Sequence, residues 1–247
     1  MKYKDYSSDI WATINNTLDQ VLKEQDQPIA AFDADGTLWD IDLGETFFHY
    51  QIDNKLVTLP PSPFEHYENM KAKDPREAYL WLAQICQGKS LEEVRQWAKS
   101  AVKYAAPVPV LTEQKKLIEL LLSKGVQVYV ITASIKWAVE GGADLVGLGY
   151  DNIIGVETDV QNGIITDKQK GVITYRQGKV EALLAKTGGK LPFLASGNTM
   201  GDFNLLESAT HLRLAVSAAS RDDKIFKTEK ELADNAEQKG WLHHRFI

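Results

Sequence analysis

Short apolar runs that stop at polar clusters alternate with amphipathic stretches along most of this 247-residue chain. Ile10, Trp11, Ile14, Leu18 and Leu22 fall near helical spacing, and Ser8 or Asp9 can cap the start, which predicts a helix over Ser8–Lys23. After Pro28, the run Ile29-Ala30-Ala31-Phe32 suits a buried parallel strand and halts at Asp33-Ala34-Asp35-Gly36-Thr37. Thr112–Ser123 reads as an amphipathic helix. Val126–Ile131 reads as a buried strand closed by Thr132-Ala133-Ser134, with a helix through Trp137 to follow. Asn162-Gly163 inside Ile153–Thr174 is a type I′ turn signal and predicts a β-hairpin. Lys179–Lys186 reads as a helix. Leu191–Ala195 reads as a strand ending at Ser196-Gly197-Asn198, and Leu212–Val216 as the last strand.

The stretch from Asp42 to Ala106 has a different character: helical, aromatic and broken by Pro60-Pro61-Ser62-Pro63. Asp74-Pro75 offers a cap followed by proline at the first helical position, and Ser90-Leu91-Glu92-Glu93 fits a capping box. The expected organisation is a Rossmann-like α/β core over residues 1–41 and 107–247, three-layered with a mostly parallel sheet, and an inserted helical cap over 42–106.

Hydrophobic residues at 44% and charged residues at 25% match an ordinary soluble domain and exclude disorder as the default. The net charge of -6, without a strong basic run, argues against nucleic acid as the main partner. A single cysteine, Cys86, rules out an internal disulfide and a cysteine metal site. Met1–Gln27 lacks a leader-like apolar segment, and no apolar stretch approaches the roughly 20 residues needed to span a bilayer. The expectation is a cytoplasmic protein, monomer or homodimer, with a small phosphorylated metabolite as partner and no membrane contact.

In parallel sheets ligands gather beyond the carboxyl ends of the strands, where this sequence places Asp33/Asp35, Thr132 and Asn198/Asp202. These residue types together suit phosphoryl transfer. Asp33 can attack phosphorus and divide one displacement into two steps. Asp35 can protonate the leaving oxygen and then take a proton from water. Gly36 lets the backbone close round a phosphate. Lys179 would bring fixed positive charge to the phosphate and Asp33, and Thr132 with the N–H of Ala133 would donate to the phosphate oxygens. Carboxylates facing a phosphate need a cation between them. Mg²⁺ suits an all-oxygen site to which Asp202 adds a third carboxylate and Asn198 a neutral oxygen. An EF-hand-like calcium loop is excluded, because the glycine comes too early, Glu45 one place late, and an apolar strand precedes the motif.

The segment Asp33-Ala34-Asp35-Gly36-Thr37-Leu38 resembles the first motif of the haloacid dehalogenase superfamily of phosphohydrolases. Val128–Thr132, Gly178-Lys179 and Gly197-Asn198-Thr199-Met200-Gly201-Asp202 resemble its second, third and fourth motifs, in order from Ala31 to Leu206. The insert after the first motif resembles a C1-type cap, and the hairpin resembles that of phosphoserine-phosphatase-like members. The resemblance implies Asp33 as nucleophile, Asp35 as acid–base, and a Mg²⁺ site formed by Asp33, the carbonyl of Asp35 and the fourth motif. Many relatives carry aspartate where this chain has Asn198, so either Asn198 or Asp202 is the direct ligand. Asp42, Glu45, Phe48 and His49 lie where a cap would meet the leaving group, and Glu45 is a candidate for a substrate amine. His243-His244 is expected to be solvated. The expected activity is hydrolysis of a small phosphomonoester through an aspartyl-phosphate; phosphoserine phosphatase and a catalytically weakened phospholigand-binding protein are the alternatives.

Overall fold

Ile29 and Ala31 point to one side of the first strand and Ala30 and Phe32 to the other, and all four are buried, because helices cover both faces. The computed structural model describes residues 3–247. Its elements run α1 (Ser8–Glu24), β1 (Ile29–Phe32), α2 (Leu43–Asp53), α3 (Pro63–Lys73), α4 (Pro75–Gln84), α5 (Leu91–Tyr104), α6 (Thr112–Ser123), β2 (Gln127–Ile135), α7 (Lys136–Glu140), β3 (Ile153–Gln161) and β4 (Ile164–Lys170). They continue with α8 (Gln177–Thr187), β5 (Leu194–Gly197), α9 (Phe203–Ser208), β6 (Leu212–Ser217), α10 (Phe226–Lys239) and β7 (Leu242–Arg245).

The sheet order is β4-β3-β2-β1-β5-β6-β7, and every neighbouring pair is parallel except β3–β4. This is the Rossmann-like α/β architecture expected from the alternating pattern. β1 is central. The chain moves outward on one side through β2 and β3 and returns to build β5, β6 and β7 on the other, so the switch point lies beside the carboxyl end of β1. One core fills the α1/α6 face with Ile14, Leu18, Phe32, Leu117, Val128 and Val130. A second, with Ile29, Ala31, Ile131, Leu183 and Leu205, lies under α8 and α9.

Helices α2–α5 form between Leu43 and Tyr104, and their capping follows the local signals: Asp74 accepts from Arg76 N–H with Pro75 behind it, and Ser90 accepts from Glu93 N–H. They do not stand apart from the sheet. Phe47, Phe48, Ala78, Leu82 and Ala98 share one core with Ile135, Trp137, Val156 and Ile165 from β2, α7 and the hairpin.

Several local expectations shift. Ser7, rather than Ser8 or Asp9, caps α1. Thr132–Ser134 lie within β2, which runs on to Ile135 with irregular pairing to β3. Leu212–Ser217 is not the last strand, since α10 and the edge strand β7 follow. β7 is short and polar, Leu-His-His-Arg, so it lacks an apolar run. His244 is only partly exposed, packing edge-on against Tyr6 and Phe246.

Candidate active site

β1 ends at Phe32, and the Asp33 N–H continues the ladder to Ser196 O at 2.9 Å before the chain turns. Gly36 makes that turn with φ 76°, and a Cβ there would run into the Asn198 side chain, so glycine is required twice over. The motifs after β1 and β5 are thereby pressed together at the switch point.

Lys179 Nζ stands 2.5 Å from Asp33 Oδ1 and 2.6 Å from Asp202 Oδ1, and all three side chains are buried. Burial pulls the Lys179 ammonium down, but the two carboxylates outweigh it and hold the group well above its usual value. Burial, and then the charge of Asp202, push the Asp33 carboxyl up to about 6 against the pull of Lys179. Lys179 gets its position from the turn before α8. Gly178 N–H donates to Tyr175 O at 3.0 Å, Arg176 has φ 52° and ψ -119°, and a Cβ on Gly178 would strike the Ile173 carbonyl. Arg176 thus holds a backbone conformation that normally falls to glycine, a strain of about 1–3 kcal/mol of the kind that collects at functional sites.

Asp35 is held by three donors. Trp39 Nε1 (2.8 Å) and Leu43 N–H (2.9 Å) donate to Oδ1, and Ser134 Oγ donates to Oδ2 at 2.6 Å. Burial nevertheless pushes this carboxyl up to about 6, opposed by those bonds. Trp39, fully buried at the start of the insert, thus packs and holds a carboxyl at once.

Asn198 meets Asp33 through Thr37, whose Oγ1 lies 3.0 Å from Asp33 Oδ2 and 3.3 Å from Asn198 Oδ1; its one proton serves one of them at a time. Asn198 Nδ2 donates to Glu229 Oε1 at 3.0 Å, and Glu229 Oε2 accepts from the N–H groups of Ala218 and Ala219. Burial raises the Glu229 carboxyl, countered by these donors, Asn198 first. Asp202 Oδ2 accepts from the N–H groups of Asn198 and Thr199 and from Thr199 Oγ1.

A cavity of about 490 Å³ is lined by Asp33, Asp35, Gly36, Thr132, Ala133, Lys179, Asn198, Asp202, Asp42 and Glu45, whereas Phe48 lies in the aromatic core beside it and His49 is exposed and stacked on Phe64, so these two do not line it. Thr132 Oγ1 accepts from Ser134 N–H at 3.0 Å. On the far wall Glu45 is paired with Lys71 (3.0 Å) and Lys224 (3.0 Å). Burial disfavours its charge, but the two ammonium groups prevail and hold its carboxyl below the ordinary range. Among the described residues Asp42 has no such partner: it caps α2, accepting from Glu45 N–H, and opens onto the cavity. The protein around it, with Asp35 and then Glu45, pushes its carboxyl up to about 8. Tyr67, Tyr79 and Tyr175 line the same wall, the last two edge-to-face at 5.7 Å.

Sequence spacing left Thr37, Trp39, Tyr79, Tyr175 and Glu229 unmarked. Glu229 did leave a signal, because it falls in register with buried Leu232 and Ala236 on an otherwise apolar stripe. Tyr175 precedes the Gly178-Lys179 motif by a few residues, with no period to flag it.

Acidic loops converge on one lysine at the switch point of a mostly parallel sheet, the place where α/β folds bind their ligands. The chain belongs to the haloacid dehalogenase-like hydrolase family, whose model matches residues 30–207. It is 26% identical over 166 residues to the phosphorylcholine phosphatase of Pseudomonas aeruginosa, a match covering 51% of this chain and 48% of that protein. The chain thus spans about half the length of that curated relative. Its fold is shared with a conserved protein of unknown function from Anaerococcus prevotii, with a TM-score of 0.76, 16% identity, and 98% and 95% of the two chains covered. A substrate-bound phosphoserine phosphatase superposes with a TM-score of 0.50 at 15% identity, covering 78% of this chain and 87% of that one.

Proposed function

We propose that this protein is a Mg²⁺-dependent phosphatase that hydrolyses a small phosphomonoester through a phosphoryl group carried on Asp33. The observation that carries the reading is the buried Asp33–Lys179–Asp202 set at the end of β1. Asp33 Oδ attacks phosphorus as the bond from phosphorus to the alcohol oxygen breaks, and a proton on Asp35 goes to that oxygen. Water then gives a proton to Asp35 while its oxygen attacks phosphorus, releasing phosphate and the Asp33 carboxylate. Asp35 Oδ1 is occupied by two N–H donors, so Oδ2, whose single partner is a hydroxyl, is the oxygen suited to carry the proton. The Lys179 ammonium offsets charge on the phosphoryl oxygens, and Thr132 and Ala133, which line the same cavity, are the further donors to them. Helices α2–α5 act as the cap that keeps bulk water out.

Among the described residues no three Asp, Glu, His or Cys side chains gather as a metal cluster. Mg²⁺ does not require one, since it is commonly held by one or two carboxylates with water and substrate phosphate. Asp33, the carbonyl of Asp35 and Asn198 Oδ1 fit that pattern. The Asp202 oxygens are already taken by Lys179 and loop N–H groups, which favours Asn198 over Asp202 as the direct ligand. The ion would supply positive charge that screens the carboxylates from the phosphate.

The far wall suggests the alcohol. Glu45 is neutralised by two lysines, whereas the Asp42 carboxyl, without an ion-pair partner among the described residues and raised by burial, lies beside tyrosine rings, where an alkylammonium group would draw it into the charged form. The relationship to a phosphorylcholine phosphatase supports the same class. A panel of phosphocholine, phosphoethanolamine, phosphoserine and sugar phosphates, run with Mg²⁺ and with EDTA, tests the reading. Turnover should require Mg²⁺ and be highest on cationic alcohols; absence of turnover on the whole panel with Mg²⁺ would refute it. Ser134→Ala removes the donor to Asp35 Oδ2 and is expected to lower kcat about tenfold with little change in KM. An unchanged kcat would remove Ser134 from any role in positioning Asp35.

A further inference from the structure

Asn198 is neutral where a carboxylate is common among relatives, yet the site is not short of one. Glu229, from the first turn of α10, lies directly behind the amide, buried, with Oε1 accepting from Asn198 Nδ2 at 3.0 Å and Oε2 accepting from Ala218 and Ala219 N–H at 3.2 and 3.0 Å. The two backbone N–H groups can only donate, so they fix Oε2 as an acceptor and leave Oε1 for the amide. The Asn198 amide sits with Nδ2 toward Glu229 Oε1 and Oδ1 toward Thr37 and Asp33. The same helix turn also accepts from the loop backbone, Met200 N–H donating to Thr228 Oγ1 at 3.1 Å.

We infer that Glu229 is the positioning residue of the cation site: it carries the negative charge missing at position 198 and aims the Asn198 carbonyl oxygen at the space beside Asp33. The inference rests on the reading of Asn198 as a Mg²⁺ ligand. The two positions form an exchangeable pair. In Asn198→Asp alone, two buried carboxylates face each other where an N–H···O bond stood. In Glu229→Gln alone, the new amide keeps its oxygen on the two backbone donors and turns its NH₂ toward the Asn198 NH₂, which flips Asn198 and points a donor at the site. With both substitutions the bonds close again: the introduced amide donates its NH₂ to the introduced carboxylate, while its oxygen keeps the N–H groups of Ala218 and Ala219.

The test is a double-substitution cycle on the full chain, read by calorimetric titration with Mg²⁺ alone and by thermal unfolding without metal, at one pH. Glu229→Gln is expected to bind Mg²⁺ at least tenfold more weakly and Asn198→Asp to melt at a lower temperature. The double variant should recover both properties and bind Mg²⁺ at least as tightly as the natural pair. Additive losses in the double variant, or a Glu229→Gln protein that binds Mg²⁺ like the natural one, would overturn the inference. In the latter case Asn198→Ala separates the causes: unchanged Mg²⁺ affinity there removes Asn198 as a ligand and the metal assignment with it, whereas weakened affinity removes only the role of Glu229.

Discussion

Asp33→Asn is expected to lower turnover by at least ~10⁴-fold while leaving the fold intact, because it removes the attacking oxygen and almost nothing else. The side chain keeps its size, and the new amide can turn its oxygen to the Lys179 ammonium and donate its NH₂ to the Thr37 hydroxyl, which can accept. Only one of the two carboxylates on Lys179 is lost, so the lysine keeps Asp202 as its counter-ion. Rapid acid quench with labelled substrate gives a second readout: the natural protein should retain a covalent phosphoryl group and the variant none. Undiminished activity in the variant would place the nucleophile elsewhere.

Lys179→Met should cost stability as well as activity. It leaves Asp33 and Asp202 buried without their shared cation, and removing one partner of a buried ion pair typically costs about 3–5 kcal/mol. For a chain of this size that is a fall in Tm of about 10 °C. The pH dependence has a definite sign. With Lys179 present the Asp33 carboxyl already sits at about 6, above its unfolded value, and loss of the ammonium lifts it further. A carboxyl raised on folding favours the folded state fully below its unfolded value, about 4, and that contribution is lost as pH rises through the folded value. The deficit of the variant should therefore be largest above pH ~6 and shrink toward pH ~4. An equal deficit at pH 5 and pH 8 would assign the loss to packing rather than to charge.

How much of this was legible in the sequence depended on the range of the signal. β1, β5 and the hairpin at Asn162-Gly163 announced themselves through apolar runs and turn chemistry confined to a few residues. So did Asp33, Asp35 and Asp202, because a parallel sheet sends successive strand ends to one edge, whereas Lys179, on α8, was marked by its charge in the Gly178-Lys179 motif. What stayed hidden was whatever depends on a partner far along the chain. Asn198 and Glu229 are 31 residues apart and bond across α9 and β6, and Ser134 meets Asp35 across 99 residues. β7 was missed for a further reason: a four-residue edge strand with two histidines and an arginine carries little hydrophobic signal.

The core shared by α2–α5 with β2, α7 and the hairpin has a mechanical meaning. Phe47, Phe48, Ile135 and Trp137 form a seam that fastens the roof of the cavity to one half of the floor. On the opposite rim the roof is tied down by Glu45 and the largely exposed Lys224, a pair that contributes little holding force in water. The roof cannot lift away as a free plate without tearing an aromatic interior open. A tilt about this seam would disturb the fewest packed contacts, and the Lys224 rim is the side such a tilt would open. The chamber of about 490 Å³ is thus roofed by helices fastened through an aromatic core.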